Sequence, residues 1–128
     1  NVTNMEYMFA SCYKFNKPLN NWDVSNVVNM KDMFEYCYKF NKPLDKWNVS
    51  NVEEMSHMFY HCYDFNQDIS NWNVSKVENM IQMFSNCKSF NQDLSNWDVS
   101  NVTSNGWMFE GGCPIEKNYK PKFKRKRK

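Results

Sequence analysis

Between Asn26 and Ser50 the apolar residues Val27, Met30, Met33, Phe34 and Cys37 step by three and four positions, with polar residues between them. Apolar residues at those intervals line one face of a helix. The pattern predicts a helix over 27–38, with Ser25 ahead of it as an N-cap whose hydroxyl accepts from a free backbone N–H. Two later copies extend the cap into a capping box, Ser50 with Glu53 and Ser75 with Glu78. The helix is expected to end before Phe40 and Asn41, because Pro43 and its neighbours cannot continue it. Leu44, Trp47 and Val49 follow. Trp47 and Val49 alternate around Asn48 as in a short strand, with Trp and Val inward and Asn48 outward.

The whole pattern returns every 25 residues, as Trp22, Trp47, Trp72 and Trp97 show, and likewise Phe15, Phe40, Phe65 and Phe90. A fixed period of that length marks a solenoid or array. One repeat cannot bury its apolar side alone, whereas stacked copies make a continuous core. The expected class is therefore α/β, a solenoid with short parallel strands on one face and short helices on the other. Four 25-residue repeats and a degenerate C-terminal capping repeat account for 1–116. In that last repeat Asn105 stands where Met5, Met30, Met55 and Met80 stand, and Gly106, Gly111, Gly112 and Pro114 interrupt the pattern. Asn1 and Val2 open directly into a repeat. Further repeats are expected upstream, and uncovered Val2, Met5 and Phe9 make self-association through this end an expectation.

Charge divides the chain in two. Residues 1–116 hold all 14 acidic residues against 8 lysines, a balance of −6, while 117–128 hold 8 Lys and Arg and no acid, +8. An acidic body with a basic tail follows, and 117–128, without an apolar face, is expected to be disordered. Lys120, Lys122, Lys124, Arg125, Lys126, Arg127 and Lys128 make this tail a candidate anion-binding segment for nucleic acid by counterion release. An anionic lipid surface, a nuclear address and a solvated end are the other readings of it. No apolar run approaches the length of a membrane span.

Each repeat carries one cysteine, Cys12, Cys37, Cys62 and Cys87, with Cys113 one place late. Cysteines on neighbouring helices would sit about 8–10 Å apart, beyond the roughly 7 Å that a disulfide allows. Free, buried thiols acting as small apolar fillers are expected. Asn16, Asn41, Asn66 and Asn91 follow each Phe, and a row of side-chain amides satisfying turn backbone is the favoured reading over a ligand-binding row.

The repeat Asn-Val-x-x-Met-x-x-Met-Phe-x-x-Cys-x-x-Phe-Asn-x-x-Leu-x-x-Trp-x-Val-Ser resembles the BspA-type leucine-rich-repeat surface proteins. It is most similar to their 25-residue subfamily, found in mycoplasmal lipoproteins and other bacteria, some protists and large DNA viruses. The resemblance covers 1–100 and weakens after Thr103. It implies a leucine-rich-repeat-like right-handed solenoid that binds other proteins, often host-cell or matrix components, at a cell surface or after secretion. It carries over no catalytic residue.

Candidate chemistry is sparse. His57 and His61 have a spacing that zinc sites use, but they fall on solvent-type positions and lack a third ligand, since Cys62 belongs to the inward row. Asp23, Asn48, Asn73 and Asp98, beside Asn21, Lys46, Asn71 and Asn96, are expected along the outer face of the sheet. That row is the candidate partner-binding surface; calcium coordination and a plain solvated face are the alternatives. The Trp row, in phase with Val24, Val49, Val74 and Val99, is read as core packing rather than a carbohydrate platform. No nucleophile elbow, phosphate-cradling loop or carboxylate pair is present, and neither an enzyme nor a cofactor is expected. The expected function is a non-catalytic protein-binding scaffold at a cell surface or secreted. The alternative is an intracellular or virion-associated module docking to nucleic acid through its tail.

Overall fold

In the computed structural model, which describes residues 2–124, the three-residue apolar steps are hydrogen-bonded turns rather than helix. The N–H of Val27 donates to the carbonyl of Val24 (3.0 Å), Met33 to Met30 (3.2 Å) and Cys37 to Phe34 (2.9 Å). Phe40 donates to Cys37 (3.3 Å), Trp47 to Leu44 (3.1 Å) and Val52 to Val49 (3.0 Å). A β-turn closes with this bond between its first and fourth residues. Both ends of each of these turns are buried apolar side chains. Spacing of three thus arises from turns that point both their ends inward.

What prevents a helix is visible in the backbone. Asp32 (φ 57°) and Tyr36 (φ 62°) lie in the left-handed region, as do Tyr7, Ser11, His57, His61, Gln82, Asn86 and Trp107 at equivalent places. A right-handed helix cannot pass through such residues, and each costs roughly 1–2 kcal/mol for a non-glycine side chain. The cost is offset by bonds between repeats. The N–H groups of Met30, Asp32, Phe34 and Tyr36 donate to the carbonyls of Glu54, Ser56, Met58 and Tyr60 at 2.8–3.0 Å. The same four bonds recur from Met5, Tyr7, Phe9 and Ser11, from Met55, His57, Phe59 and His61, and from Met80, Gln82, Phe84 and Asn86. Alternate N–H groups therefore close turns within a repeat while the others cross to the next.

These bonds stack the repeats as coils, 1–25, 26–50, 51–75, 76–100 and the shorter 101–116. The α/β expectation is overturned. Among the described residues there is no α-helix and no strand, only the 3-10 turn Lys117–Tyr119 and single parallel bridges linking Asn4, Asn29, Glu54, Asn79 and Ser104. The bridges sit before the turn run, not at Trp47–Val49, so the expected sheet of Trp-x-Val strands does not form. The inward and outward alternation survives without it, since Trp47 and Val49 are buried and Asn48 is exposed. Ser25 caps nothing; its N–H and hydroxyl both donate to Asp23 Oδ1.

Like side chains stack through the core. Phe34, Phe59 and Phe84 rings succeed one another at 5.5 Å, and Trp47, Trp72 and Trp97 at 6.4–6.5 Å. The indole Nε1 of Trp47, Trp72 and Trp97 donates to the carbonyls of Leu19, Leu44 and Ile69 in the preceding coil. Cys37, Cys62 and Cys87 are free and buried, and their thiols donate to the carbonyls of Phe9, Phe34 and Phe59. Cys12 is exposed and Cys113 half-buried. The Asn row satisfies turn backbone: Asn16, Asn41 and Asn66 Oδ1 accept from the N–H of Asn41, Asn66 and Asn91 at 2.9–3.0 Å.

The C-terminal segment is not free either. Tyr119 accepts the Leu94 N–H through its carbonyl (2.8 Å), Pro121 is buried, and Tyr119 and Phe123 pack on the core. Expected disorder of 117–128 does not hold for 117–124, because aromatic and proline side chains cover the last coil; 125–128 lie outside the described residues.

Candidate functional site

Most of the surface is bonded to itself. Asp23, Asn48, Asn73 and Asp98 are exposed at one per coil, and each accepts the N–H two residues on, from Ser25, Ser50, Ser75 and Ser100. They close Asx turns instead of lining a sheet. Hydrogen bonds from the Ser hydroxyl and N–H lower the carboxyl pKa of Asp23 and Asp98. Asn21, Lys46, Asn71 and Asn96 are also exposed, with Asn71 Nδ2 donating to the Asp45 carbonyl. The row is therefore accessible, but its acceptors are engaged in holding the chain.

The two candidate regions meet at the C-terminal end. Lys122 and Lys124 add to the lowering of the Asp93 and Asp98 pKa, after the serine hydrogen bonds. Lys120 places its ammonium 5.5 Å from the Phe109 ring centroid. A cleft of about 270 Å³ opens beside it, lined by Trp107, Phe109, Lys120 and Phe123 among others. Arg125, Lys126, Arg127 and Lys128 lie outside the described residues.

A different surface gathers half-buried aromatic side chains around the exposed Tyr13. Of the left-handed places in the first three coils, Tyr7, Tyr36, His57 and His61 hold a tyrosine or histidine, while Ser11 and the buried Asp32 hold the other two. Tyr13 stacks on Tyr38 (5.1 Å) and Tyr38 on Tyr63 (4.7 Å, planes 3° apart). Beside them Tyr36 meets Tyr60 edge-on (5.5 Å), and His61 lies 4.9 Å from Tyr36 and 4.3 Å from Tyr60. His61 Nδ1 is 3.2 Å from the Tyr63 hydroxyl, and His57 Nε2 is 3.0 Å from Gln82 Oε1. Burial, then the charge of Lys88, pushes the His61 pKa down, so its ring is neutral at pH 7. Burial foremost, then neighbouring phenols, raises Tyr36 and Tyr38. The strip ends in the fourth coil, where Gln82, Asn86 and Lys88 take the same places. On the expected helix these positions do not converge, so the residue pattern does not announce the strip. The 25-residue step of Tyr13, Tyr38 and Tyr63 was the available signal.

Among the described residues no three His, Cys, Asp or Glu side chains converge as metal ligands, and no helix is long and apolar enough to cross a membrane. Burial pushes the Cys37 thiol up to about 12, and burial raises Cys62 and Cys87 as well, so none of these is a thiolate nucleophile near pH 7.

A family model described as "Mycoplasma protein of unknown function, DUF285" matches residues 1–73 and again 44–125. The chain belongs to this family. Membership agrees, at the level of a BspA-like repeat family, with the resemblance carried by the repeat. DUF285 brings no assigned activity with it. No curated protein and no solved structure matches the chain.

Proposed function

We propose that this chain is a non-catalytic protein-binding scaffold and that the Tyr–His strip is its contact surface. One observation carries the reading: five tyrosines and a histidine, Tyr13, Tyr36, Tyr38, Tyr60, Tyr63 and His61, pack ring against ring in one strip, Tyr13 exposed and the others half-buried, on backbone hydrogen-bonded between coils. Tyrosine supplies large amphipathic contact area at low entropic cost, and it is enriched where proteins bind proteins. Stacking among Tyr13, Tyr38 and Tyr63 occupies their ring faces. That suits hydrogen bonding to a protein surface better than sugar stacking. A place at a cell surface or in secretion remains part of this proposal, resting on the BspA-like resemblance. The tail reading has less support, since Lys120 already lies over the Phe109 ring, and Tyr119 and Phe123 pack on the core.

The test is partner capture by immobilised protein from matrix and cell extracts, followed by affinity measurement on the captured protein. Tyr38→Ala and Tyr63→Ala together are expected to weaken binding by about 30-fold or more, as loss of a hot spot does. Exchange of Asp23, Asn48, Asn73 and Asp98 for Lys is expected to leave it nearly unchanged. The opposite pattern returns the contact surface to the Asx-turn row. Capture of nucleic acid, lost when the chain stops at 116, would move function to the tail.

A further inference from the structure

Charge is segregated along the edge that carries Tyr13, Tyr38 and Tyr63. Residues 12–19 read Cys-Tyr-Lys-Phe-Asn-Lys-Pro-Leu, and 37–44 repeat them one for one. The same stretch is Cys-Tyr-Asp-Phe-Asn-Gln-Asp-Ile in 62–69 and Cys-Lys-Ser-Phe-Asn-Gln-Asp-Leu in 87–94. The first two coils of an acidic body thus place Lys14, Lys17, Lys39 and Lys42 here, with no carboxylate among them. Lys42 is half-buried and the other three are exposed. Stacking sets them in register. Tyr13 rests on Tyr38 (5.1 Å) and Phe15 on Phe40 (5.7 Å), so Lys14 and Lys39, between these residues in sequence, hold matching places one coil apart. Asn16 Oδ1 accepts the Asn41 N–H (2.9 Å), which puts the places of Lys17 and Lys42 in the same relation. Like charges at matching places on paired backbone are destabilising. The fold has another residue for one of these places. Gln67 Nε2 donates to the carbonyl (3.2 Å) and Oδ1 (2.9 Å) of Asn41, and Gln92 Nε2 makes both bonds to Asn66 (3.1 and 2.9 Å). Other lysines are tied to the fold: Lys76 Nζ donates to Asn51 Oδ1 (3.1 Å) and Lys88 Nζ to the Gly111 carbonyl (2.7 Å). Among the described residues, the ammonium groups of Lys14, Lys17, Lys39 and Lys42 have no such acceptor. Asp45, the next carboxylate along, accepts from Asn20 Nδ2 (2.9 Å).

We infer that Lys14, Lys17, Lys39 and Lys42, together with Tyr13 and Tyr38, bind a short acidic segment of a protein partner. Its carboxylates would offset the stacked positive charge, and its apolar side chains would cover Tyr13, which is 52% exposed. The inference rests on the Tyr–His strip as contact surface and names the chemistry of what the strip contacts. Two observations favour a short acidic peptide over a long polyanion such as nucleic acid. Asp64, Asp68 and Asp93 follow in the third and fourth coils, where they would repel the continuation of a long anionic chain. Tyr38 has its faces occupied by Tyr13 (5.1 Å) and Tyr63 (4.7 Å), so it is not free to stack on a base.

Labelled octaglutamate is the probe. Mixed with the full chain at low ionic strength, its carboxylates are coupled to nearby amines by a carbodiimide, and the coupled lysines are mapped by mass spectrometry. Coupling is expected at Lys14, Lys17, Lys39 and Lys42; coupling confined to the lysines of 117–128 overturns the inference. A second measurement uses a variant whose residues come from the other coils: Lys14→Ser and Lys39→Ser, as at Ser89, with Lys17→Gln and Lys42→Gln, as at Gln67 and Gln92. Arg125→Gln, Lys126→Gln, Arg127→Gln and Lys128→Gln in both variant and reference keep the tail from competing. The four lysine changes are expected to leave the Tm equal or higher and to weaken octaglutamate binding roughly tenfold or more. Unchanged affinity in the folded variant overturns the inference. An octathymidylate of similar charge that binds these lysines as tightly would make the site a nucleic-acid one, and self-association lost with the same lysines would make the occupant a second copy; either result overturns it too. Partner capture separates this inference from the contact-surface reading. Capture lost with Tyr38→Ala and Tyr63→Ala but kept by the lysine variant leaves the strip standing and overturns the acidic occupant. Capture lost with the lysine variant alone supports the acidic occupant and removes the tyrosines from the contact.

Discussion

Glu35 illustrates what a single residue contributes. Its carboxyl is pushed up from 4.5 to about 7, first by burial and then by its hydrogen bond with Asp32 and that residue's negative charge. Lys31 opposes the shift without cancelling it. Between about 4.5 and 7 the folded chain holds a proton that the unfolded chain has released. Stability linked to this group is full below 4.5 and is lost as pH rises through about 7. Denaturant midpoints are therefore expected to fall from about pH 5 to about pH 8, and Glu35→Gln should flatten the dependence. Since Glu35 remains partly exposed, solvent screening keeps the effect modest. Asp23, Asp68, Asp93 and Asp98 act in the opposite direction, because serine hydrogen bonds lower them and their contribution is lost in acid. Of this, sequence showed only Ser two residues after each Asp. The Asp32–Glu35 encounter depends on a left-handed Asp32, which no residue pattern announced.

At the scale of the element, a turn run replaces the expected helix because hydrogen bonding between coils competes with hydrogen bonding along the chain. A helix would use every N–H locally. Here half are spent on the neighbouring coil, and left-handed residues at alternate turns release them. Gly111 (φ 77°) takes the left-handed place held by Asn86 one coil earlier, and a Cβ there would collide with the Asn86 side chain. Side-chain bonds between coils add to the backbone set, and the indole of Trp72 separates packing from hydrogen bonding. Trp72→Phe keeps a ring in the stack and loses the bond to the Leu44 carbonyl, an expected cost of about 1 kcal/mol plus some packing loss. Trp72→Ala should cost about 3–5 kcal/mol, because the surrounding rings cannot close the cavity. Equilibrium denaturation of both variants checks the pair. Equal losses would mean that the stack contributes little beyond the bond.

At the scale of the molecule, stability is held in contacts between neighbouring coils, as in other stacked repeats. Nine apolar side chains of each full inner coil are buried, and they lie at the same positions in 26–50, 51–75 and 76–100. Deletion of 51–75 joins Ser50 to Lys76 and restores every contact type, so a shorter, cooperatively folding protein with a lower Tm is expected. Deletion of 51–74 leaves one residue too many in a coil and should disrupt the stack beyond the junction. Thermal unfolding followed by near-ultraviolet circular dichroism, which reads the stacked aromatics, distinguishes them. Comparable Tm values for both deletions would refute registered stacking. The tail belongs at this scale as well, since Tyr119, Pro121 and Phe123 finish the core that 101–116 leaves open.

The 25-residue period, the buried rows of Phe, Trp, Met and Cys, and the amide row were legible from sequence, because a side chain's burial follows its chemistry whatever the backbone does. Backbone conformation was not legible: apolar steps of three fit both a helix and a run of turns with inward ends, and only bonding to the adjacent coil chooses between them. The Tyr–His strip comes from that choice. It gathers side chains at and beside the left-handed residues Tyr36 and His61, which coil stacking brings ring to ring.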